Sequence, residues 1–427
     1  MKLQPTLIGL AASLLVLGTA PALAQSNAVL DELREEIRKL RAEVNELKKQ
    51  KAAEAKPADA SGWGDRIEQL EIKSKDAVVL GDIGGSFRLP GSETSLRFYG
   101  FAEAHAIHDI REPGPSDLFT DLMFQPLRNS GTQKGKTKLT ASTSRFGFES
   151  STPTGVGSFN TKVEADFYSY GSGNRNRLRL RHAYGEYAGF LVGQTWSTFM
   201  DLDNLPETVD FNGPIGAPFS RRTMIRYTYN NPQFAKLTFA IEDPEDQFGG
   251  GSANERMPQF VARFDKSFDW GAINVRGLAH EKRSGGDTKR GGGLGVGMSF
   301  KLGDSDLLMG QWARVDGDID QMYGSNGYDI DADTGALTFD KNKGFVLGWA
   351  HTYSGQLRGT VAFGRNDADR ATALADNKRL QQLFVNVIYS PIKNIELGAE
   401  VILGERRTFA GDKGQMRRVD LMGRYSF

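Results

Sequence analysis

Near the C-terminus the segment NIELGAEVIL sets Ile395, Leu397, Ala399, Val401 and Leu403 at every second position, with Glu396 and Glu400 between them. A strand turns successive side chains to opposite faces, so the apolar set and the carboxylates part cleanly. VDLMGRYSF repeats the division: Val419, Leu421, Tyr425 and Phe427 share one face, and Arg418, Asp420, Arg424 and Ser426 share the other. A soluble β-protein keeps its apolar face as a dry core. Here the charges point where such a protein would keep that core, so the polar face is expected to be the inner one and the apolar face to meet lipid, as in a membrane barrel with a wet interior.

Segments of this kind fill the chain from about residue 95. They fall at 95–109, 137–149, 158–170, 177–188, 190–199, 221–230, 234–242, 257–265, 271–282, 291–301, 305–315, 344–353, 356–366, 380–390, 393–405 and 416–427. That is about sixteen, an even number as a bacterial single-chain barrel requires, each near the roughly 10 residues a tilted transmembrane strand needs. Short connections such as STPTGVG, AGF, NNPQ and SPIKN alternate with longer polar ones at 110–136, 200–220, 243–256, 316–343 and 367–379. Short turns on one rim and long loops on the other are the mark of an outer-membrane barrel. Tyr227, Tyr229, Tyr389 and Tyr425 fall on apolar faces near strand ends, where an interfacial aromatic girdle sits. The expected fold class is all-β: a transmembrane antiparallel β-barrel of about sixteen strands over 95–427, with a helix ahead of it.

Residues 1–24 read as a signal peptide, with Lys2, an apolar run from Leu7 to Ala20, and small residues at Ala22 and Ala24. Over 25–50, Leu30, Ile37 and Val44 take heptad a positions and Leu33, Leu40 and Leu47 take d positions, a coiled-coil seam that leans by itself toward two strands. Residues 51–64, with Pro57, Gly62 and Gly64, read as a linker, and 65–94 as a lead-in segment of mixed helical and strand character. Lys plus Arg and Asp plus Glu both number 53, so charge gives no argument for a nucleic-acid partner. There are no cysteines, which removes disulfides and thiolate metal sites.

The end of the chain, LMGRYSF, with Gly423, Tyr425 and terminal Phe427, resembles the signal by which the barrel-assembly machinery recognises outer-membrane proteins. Together with the coiled coil and the stretches LRFYGFAEAHAIHD, YGEYAGFLVGQTWSTFMDL and PETVDFNGPIG, the mature chain resembles the DcaP-like family of trimeric outer-membrane porins. The resemblance implies a homotrimer of sixteen-stranded barrels in the bacterial outer membrane, with the N-terminal helix in the periplasm, conducting small organic anions and dicarboxylates. Outer-membrane lipid and lipopolysaccharide are the surroundings such a protein meets, and no cofactor or metal is expected.

The candidate constriction starts from NRNRLRLRHAY. Arg175, Arg177, Arg179 and Arg181 recur with period two, opposite Leu178 and Leu180. With the hairpin tip near Gly173, Arg181 is expected to face Asp166, Arg179 to face Tyr168 and Arg177 to face Tyr170. Arg222 and Arg226 are expected to point inward across the mouth. Guanidinium binds carboxylate through two parallel hydrogen bonds, and a ring of such groups selects anions. The competing reading is a salt-bridge network that stiffens the wall. The loop MDLDNLPETVDFNGPIGAPFS is long enough to fold inward, and Asp201, Asp203, Glu207 and Asp210 are expected to give it a negative edge opposite the arginines.

Other patterns carry less. Asp329, Asp331, Asp333 and Asp340 match calcium-loop positions, but Thr334 stands where that loop needs glycine, so an acidic surface loop is the preferred reading. No Ser-His or Asp-His pair suggests a hydrolase, so an enzyme is not expected. A role for the lysine-rich coil as an envelope tether stays open beside the channel.

Overall fold

The computed structural model describes residues 35–36, 38–46, 49, 79–111, 121–128, 135–168, 177–244, 254–284, 286–322, 327–370 and 373–427. The chain divides into two units, 1–77 and 78–427. In the first, the described residues from 35 to 49 are helical, and Leu40, a predicted seam position, is 45 % exposed. The predicted signal peptide and linker, and residues 65–78 of the lead-in segment, lie outside the described residues.

The second unit is a closed antiparallel barrel. Its sixteen strands are Ser95–Arg111, Arg145–Thr154, Gly157–Asp166, Arg179–Tyr187, Phe190–Trp196, Arg221–Asn231, Ala235–Glu242, Gln259–Phe268, Gly271–Ser284, Asp287–Leu302, Asp306–Asp316, Lys341–Thr352, Leu357–Ala368, Asn377–Tyr389, Ile395–Thr408 and Lys413–Ser426. Each pairs with the next, and the last pairs with the first from Arg417 opposite Arg111 to Ser426 opposite Phe101. Joining the last strand to the first leaves the ring of sixteen strands without an open edge, which hydrocarbon would not tolerate. At the seam the terminal Phe427 exchanges backbone hydrogen bonds with Gly100.

Every expected strand is present, with two local corrections. The strand expected at 137–149 is broken: Lys136–Thr140 pairs with the far half of Ser95–Arg111, a bend follows, and Arg145–Thr154 resumes the pairing. The lead-in segment ends in a small hairpin, Val79–Leu80 with Phe87–Arg88, which adds to the first strand at Ser95 and Leu96.

The face assignment follows the alternation. Leu397, Val401, Leu403, Leu421 and Tyr425 are all more than 40 % exposed on the outer wall, whereas Glu400, Arg418 and Asp420 are at most 1 % exposed on the inner one. The four predicted girdle tyrosines are exposed as well, and a stack of Phe268, Trp270 and Phe300 joins them near the turns. Inner charges so thoroughly covered need protein above them, and three long connections supply it. Residues 121–128, 197–220 and 317–322 all turn into the barrel, where Leu122, Phe199 and Met322 sit in apolar clusters on the inner wall.

Candidate functional site

The loop 197–220 follows the inside of the barrel, held at successive points by side chains of the wall. At its start Glu242 accepts hydrogen bonds from Ser197 Oγ (2.7 Å) and the Thr198 N–H (2.7 Å). Arg276 and Arg263 then donate to the Phe199 and Met200 carbonyls, at 2.8 and 2.7 Å. Further round, Glu400 accepts from the N–H groups of Val209 (3.0 Å) and Asp210 (2.8 Å), and Gln382 accepts from Ile215 N–H at 3.1 Å. The wall is cut back where the loop presses on it: a Cβ at Gly348, Gly364 or Gly398 would collide with Pro206, Ile215 or Val209. These glycines are at inward positions, so the loop's seat is written into the strands as missing side chains.

The four loop acids do not form the expected free negative edge. Asp201 accepts from Asn204 and Asn274 and lies 3.6 Å from Arg263, which also reaches Asp203 at 3.2 Å. Glu207 makes a bidentate pair with Arg358, both contacts 2.8 Å, and Asp210 lies 3.6 Å from Arg418. Asp201 and Asp210 are buried against the cations of the wall behind the loop, where a carboxylate is stable only with its charge matched, and the more exposed Asp203 and Glu207 pair with wall arginines at the loop's surface.

What the loop presents toward the predicted arginines is its tip. Phe211 packs on Tyr168 with ring centroids 4.8 Å apart, and Tyr168 is 4 % exposed. The guanidiniums of Arg179 and Arg181 each stand 5.6 Å from the Phe211 ring, and Arg179 is 4.9 Å from that of Tyr168.

The register of the arginine strand differs from expectation by two residues. Arg179, not Arg181, stands opposite Asp166, and a β-bulge between Glu164 and Ala165 pairs lets Arg181 and His182 both reach inward. Arg179 grips Asp166 with two hydrogen bonds, 2.9 and 2.7 Å, and Arg181 bridges Glu164 and Asp166 at 2.7 Å each. Arg145 lies 3.5 Å from Glu164, and Tyr99 donates to the same carboxylate at 2.9 Å. Three guanidiniums therefore share two carboxylates. A second tier repeats the imbalance, with Arg97 and Lys162 sharing Glu149. Arg179 and Arg145 keep 28 % and 22 % of their side-chain surface, Arg181 only 5 %.

The remaining predicted cations are placed differently. Arg177 precedes the strand and is exposed, and Arg175 lies outside the described residues. Arg222 is not across the mouth: it lies two strands from Arg181 and is 1 % exposed, 3.4 Å from both Asp318 and Asp320 on the inward loop. Burial pushes Asp318 toward its neutral form, but Arg222, with His280 and Lys282, prevails and holds it below the usual carboxylate range. Arg226 points inward between Leu191 and Ala240, without a hydrogen bond or ion pair among the described residues. The acidic stretch 329–340 forms a hairpin, Tyr328–Ile330 with Leu337–Phe339, whose Asp331 accepts from Asp333 N–H and from the N–H and hydroxyl of Thr334. Among the described residues no group of three or more His, Cys, Asp or Glu is placed to hold a metal.

Arg145, Arg97, Lys162 and Tyr99 were absent from the sequence-predicted site. Their signal was present, since each alternates with outward Phe98, Phe146 or Val163, but alternation marks a face and not a height along the pore.

The chain resembles several solved outer-membrane channels. The DcaP channel of Acinetobacter baumannii is 29 % identical, with a TM-score of 0.74, over 82 % of this chain and 100 % of that one. The anion-selective porin of Comamonas acidovorans is 14 % identical at a TM-score of 0.53, covering 78 % and 100 %. OmpT of Vibrio cholerae, in a trimer form, is 13 % identical at 0.51, covering 78 % and 99 %. No curated protein matches the sequence. The family model of the DcaP outer membrane protein matches residues 86–427, the lead-in hairpin's second strand and the whole barrel, and the chain belongs to that family of outer-membrane porins.

Proposed function

We propose that this porin passes small organic anions, dicarboxylates among them, through a constriction between the arginine wall and the tip of loop 197–220. The observation that carries the reading is the surplus of positive charge: Arg145, Arg179 and Arg181 share only Glu164 and Asp166. An anion entering there exchanges water for guanidinium contacts and leaves by the same exchange, which is what selectivity without trapping requires. Arg97, Lys162 and Arg226 extend the positive potential along the same side of the lumen. The wall-stiffening reading is compatible with this one for Arg181, whose guanidinium is nearly covered, but Arg179 and Arg145 keep surface for a ligand.

In this reading the protein is a homotrimer, with the heptads of 25–50 packing between subunits on the periplasmic side after removal of residues 1–24. Gly423, Tyr425 and Phe427 are the signal read by the barrel-assembly machinery. The test is the double variant Arg179→Ala with Arg226→Ala, recorded as single channels in a salt gradient with succinate titrated in. Anion selectivity and succinate blockage should both weaken while assembly persists; selectivity equal to the parent's would return the arginines to a purely structural role.

A further inference from the structure

We propose that one arc of the outer wall binds the phosphorylated headgroup of an outer-leaflet lipid, through a transverse row of basic side chains on the strands between Asp306 and Ser426. This stands on the barrel's place in the outer membrane and does not depend on what passes through the lumen.

The row is set by the sheet register. Arg314 lies opposite Lys343, Lys343 opposite Asp367, Asp367 opposite Arg379, Arg379 opposite Arg407 and Arg407 opposite Lys413. Five of these six are cations, on six consecutive strands. Arg417 adds a second such contact, opposite Arg111. Like charges directly across a sheet destabilise it, and Arg407 stands between Arg379 and Lys413 with no acid of its own among the described residues, although Asp367 and Glu405 partly offset its two neighbours. An anion seated on them removes that penalty.

The side chains are available. Lys343, Arg407 and Arg417 are exposed, and their side chains make no hydrogen bond or ion pair among the described residues. By contrast, Arg314 is engaged by Asp316 at 3.0 Å and Arg379 by Asp367 at 2.7 Å, and Lys413 lies 3.9 Å from Glu405.

Height and position select the ligand. The outward residues two or four places down the same strands are Trp312, Leu347 and Leu403, at 39 %, 56 % and 45 % exposure, so the row lies at the upper border of the apolar band. That border is on the rim of the long loops, where the outer leaflet's headgroups begin. With neighbouring strands about 4.8 Å apart, Arg379 to Lys413 spans roughly 10 Å, enough to engage a headgroup carrying two phosphates. At its near end the row stops where Arg314 meets Leu294, with Arg283 and Arg290 exposed closer to the loops on the two preceding strands. On strands Lys136–Thr140, Arg179–Tyr187 and Ala235–Glu242 the outward residues at the same end are Leu139, Leu180 and Ile241, at 80 %, 48 % and 46 % exposure. A belt serving solubility alone would run round the whole rim.

The test uses the full-length protein in detergent, examined by native mass spectrometry with bisphosphorylated lipid A and with its dephosphorylated counterpart. The parent should retain the phosphorylated lipid at least about tenfold better, and the variant K343Q/R407Q/R417Q should lose that preference with single-channel conductance unchanged. Inorganic phosphate should not displace the lipid. Equal retention of both lipids, undiminished preference in the triple variant, or displacement by inorganic phosphate would each overturn the proposal. If the triple variant fails to assemble, R407Q and R417Q singly are read by the same criteria.

Discussion

The attachment of loop 197–220 makes a quantitative prediction at Glu400. Its carboxylate is 1 % exposed and accepts the N–H groups of Val209 and Asp210 together with Asn386 Nδ2. Glu400→Ala leaves two loop N–H groups without their acceptor in a buried place, at about 1–3 kcal/mol each. Taking about 3 kcal/mol for the pair, after water partly fills the vacated space, the ratio of detached to seated loop rises by roughly a hundredfold. The loop does not leave altogether, because Glu242, Gln382 and the Arg358–Glu207 pair still hold it. Single-channel recording in a planar bilayer should therefore show brief conductance steps rarely seen in the parent. Glu400→Gln, which keeps one acceptor oxygen, should fall between the two. A folded Glu400→Ala channel as quiet as the parent would refute the idea that this carboxylate pins the loop.

Two further predictions concern the second inward loop. Arg222→Ala takes the nearest cation from Asp318 and Asp320, both at most 1 % exposed, and removing one partner of a buried pair costs up to about 3–5 kcal/mol. The temperature at which the barrel unfolds in a gel-shift assay should drop clearly, and an unchanged midpoint would mean the acids find other cations. Asp340, at the end of the hairpin, faces Arg370 and the acids Asp329, Asp369 and Asp376, and burial pushes its pKa up to about 6. A folded-state pKa above the unfolded value means the contribution is complete in acid and lost as pH rises through 6. Hydrogen-exchange protection of residues 327–340 should be greater at pH 5 than at pH 7.5, and Asp340→Asn should erase the difference; equal protection in the parent at both values would count against it.

How much of this was legible beforehand varies with the range of the interaction. Alternation is a property of adjacent residues, so Ile395 to Leu403 and Val419 to Phe427 declared their faces, and the turn signals between strands declared their number. The length of 200–220 likewise announced a loop able to enter the lumen. The bulge at Arg181 was hidden because one extra residue shifts the register without disturbing the run of arginines and leucines around it. The fate of the loop acids was hidden for a different reason. The backbone N–H of Asp210 is held by a carboxylate 190 residues away, its side chain lies beside Arg418, and Arg222 is held by an aspartate 96 residues away, so which charges become partners depends on where each loop comes to rest.

The sequence by itself thus determined the barrel: strand number, the apolar exterior and the charged interior all follow from period-two alternation and the short turns, which are local. The tertiary structure alone decided which interior charges remain open to a solute. Three loops fold inward and pair with some of them, Arg222, Arg276 and Arg418 among these, while Arg97, Arg145, Lys162 and Arg179 keep part of their surface, because burying a charge is tolerated only beside its partner and only the folded chain brings the partners together.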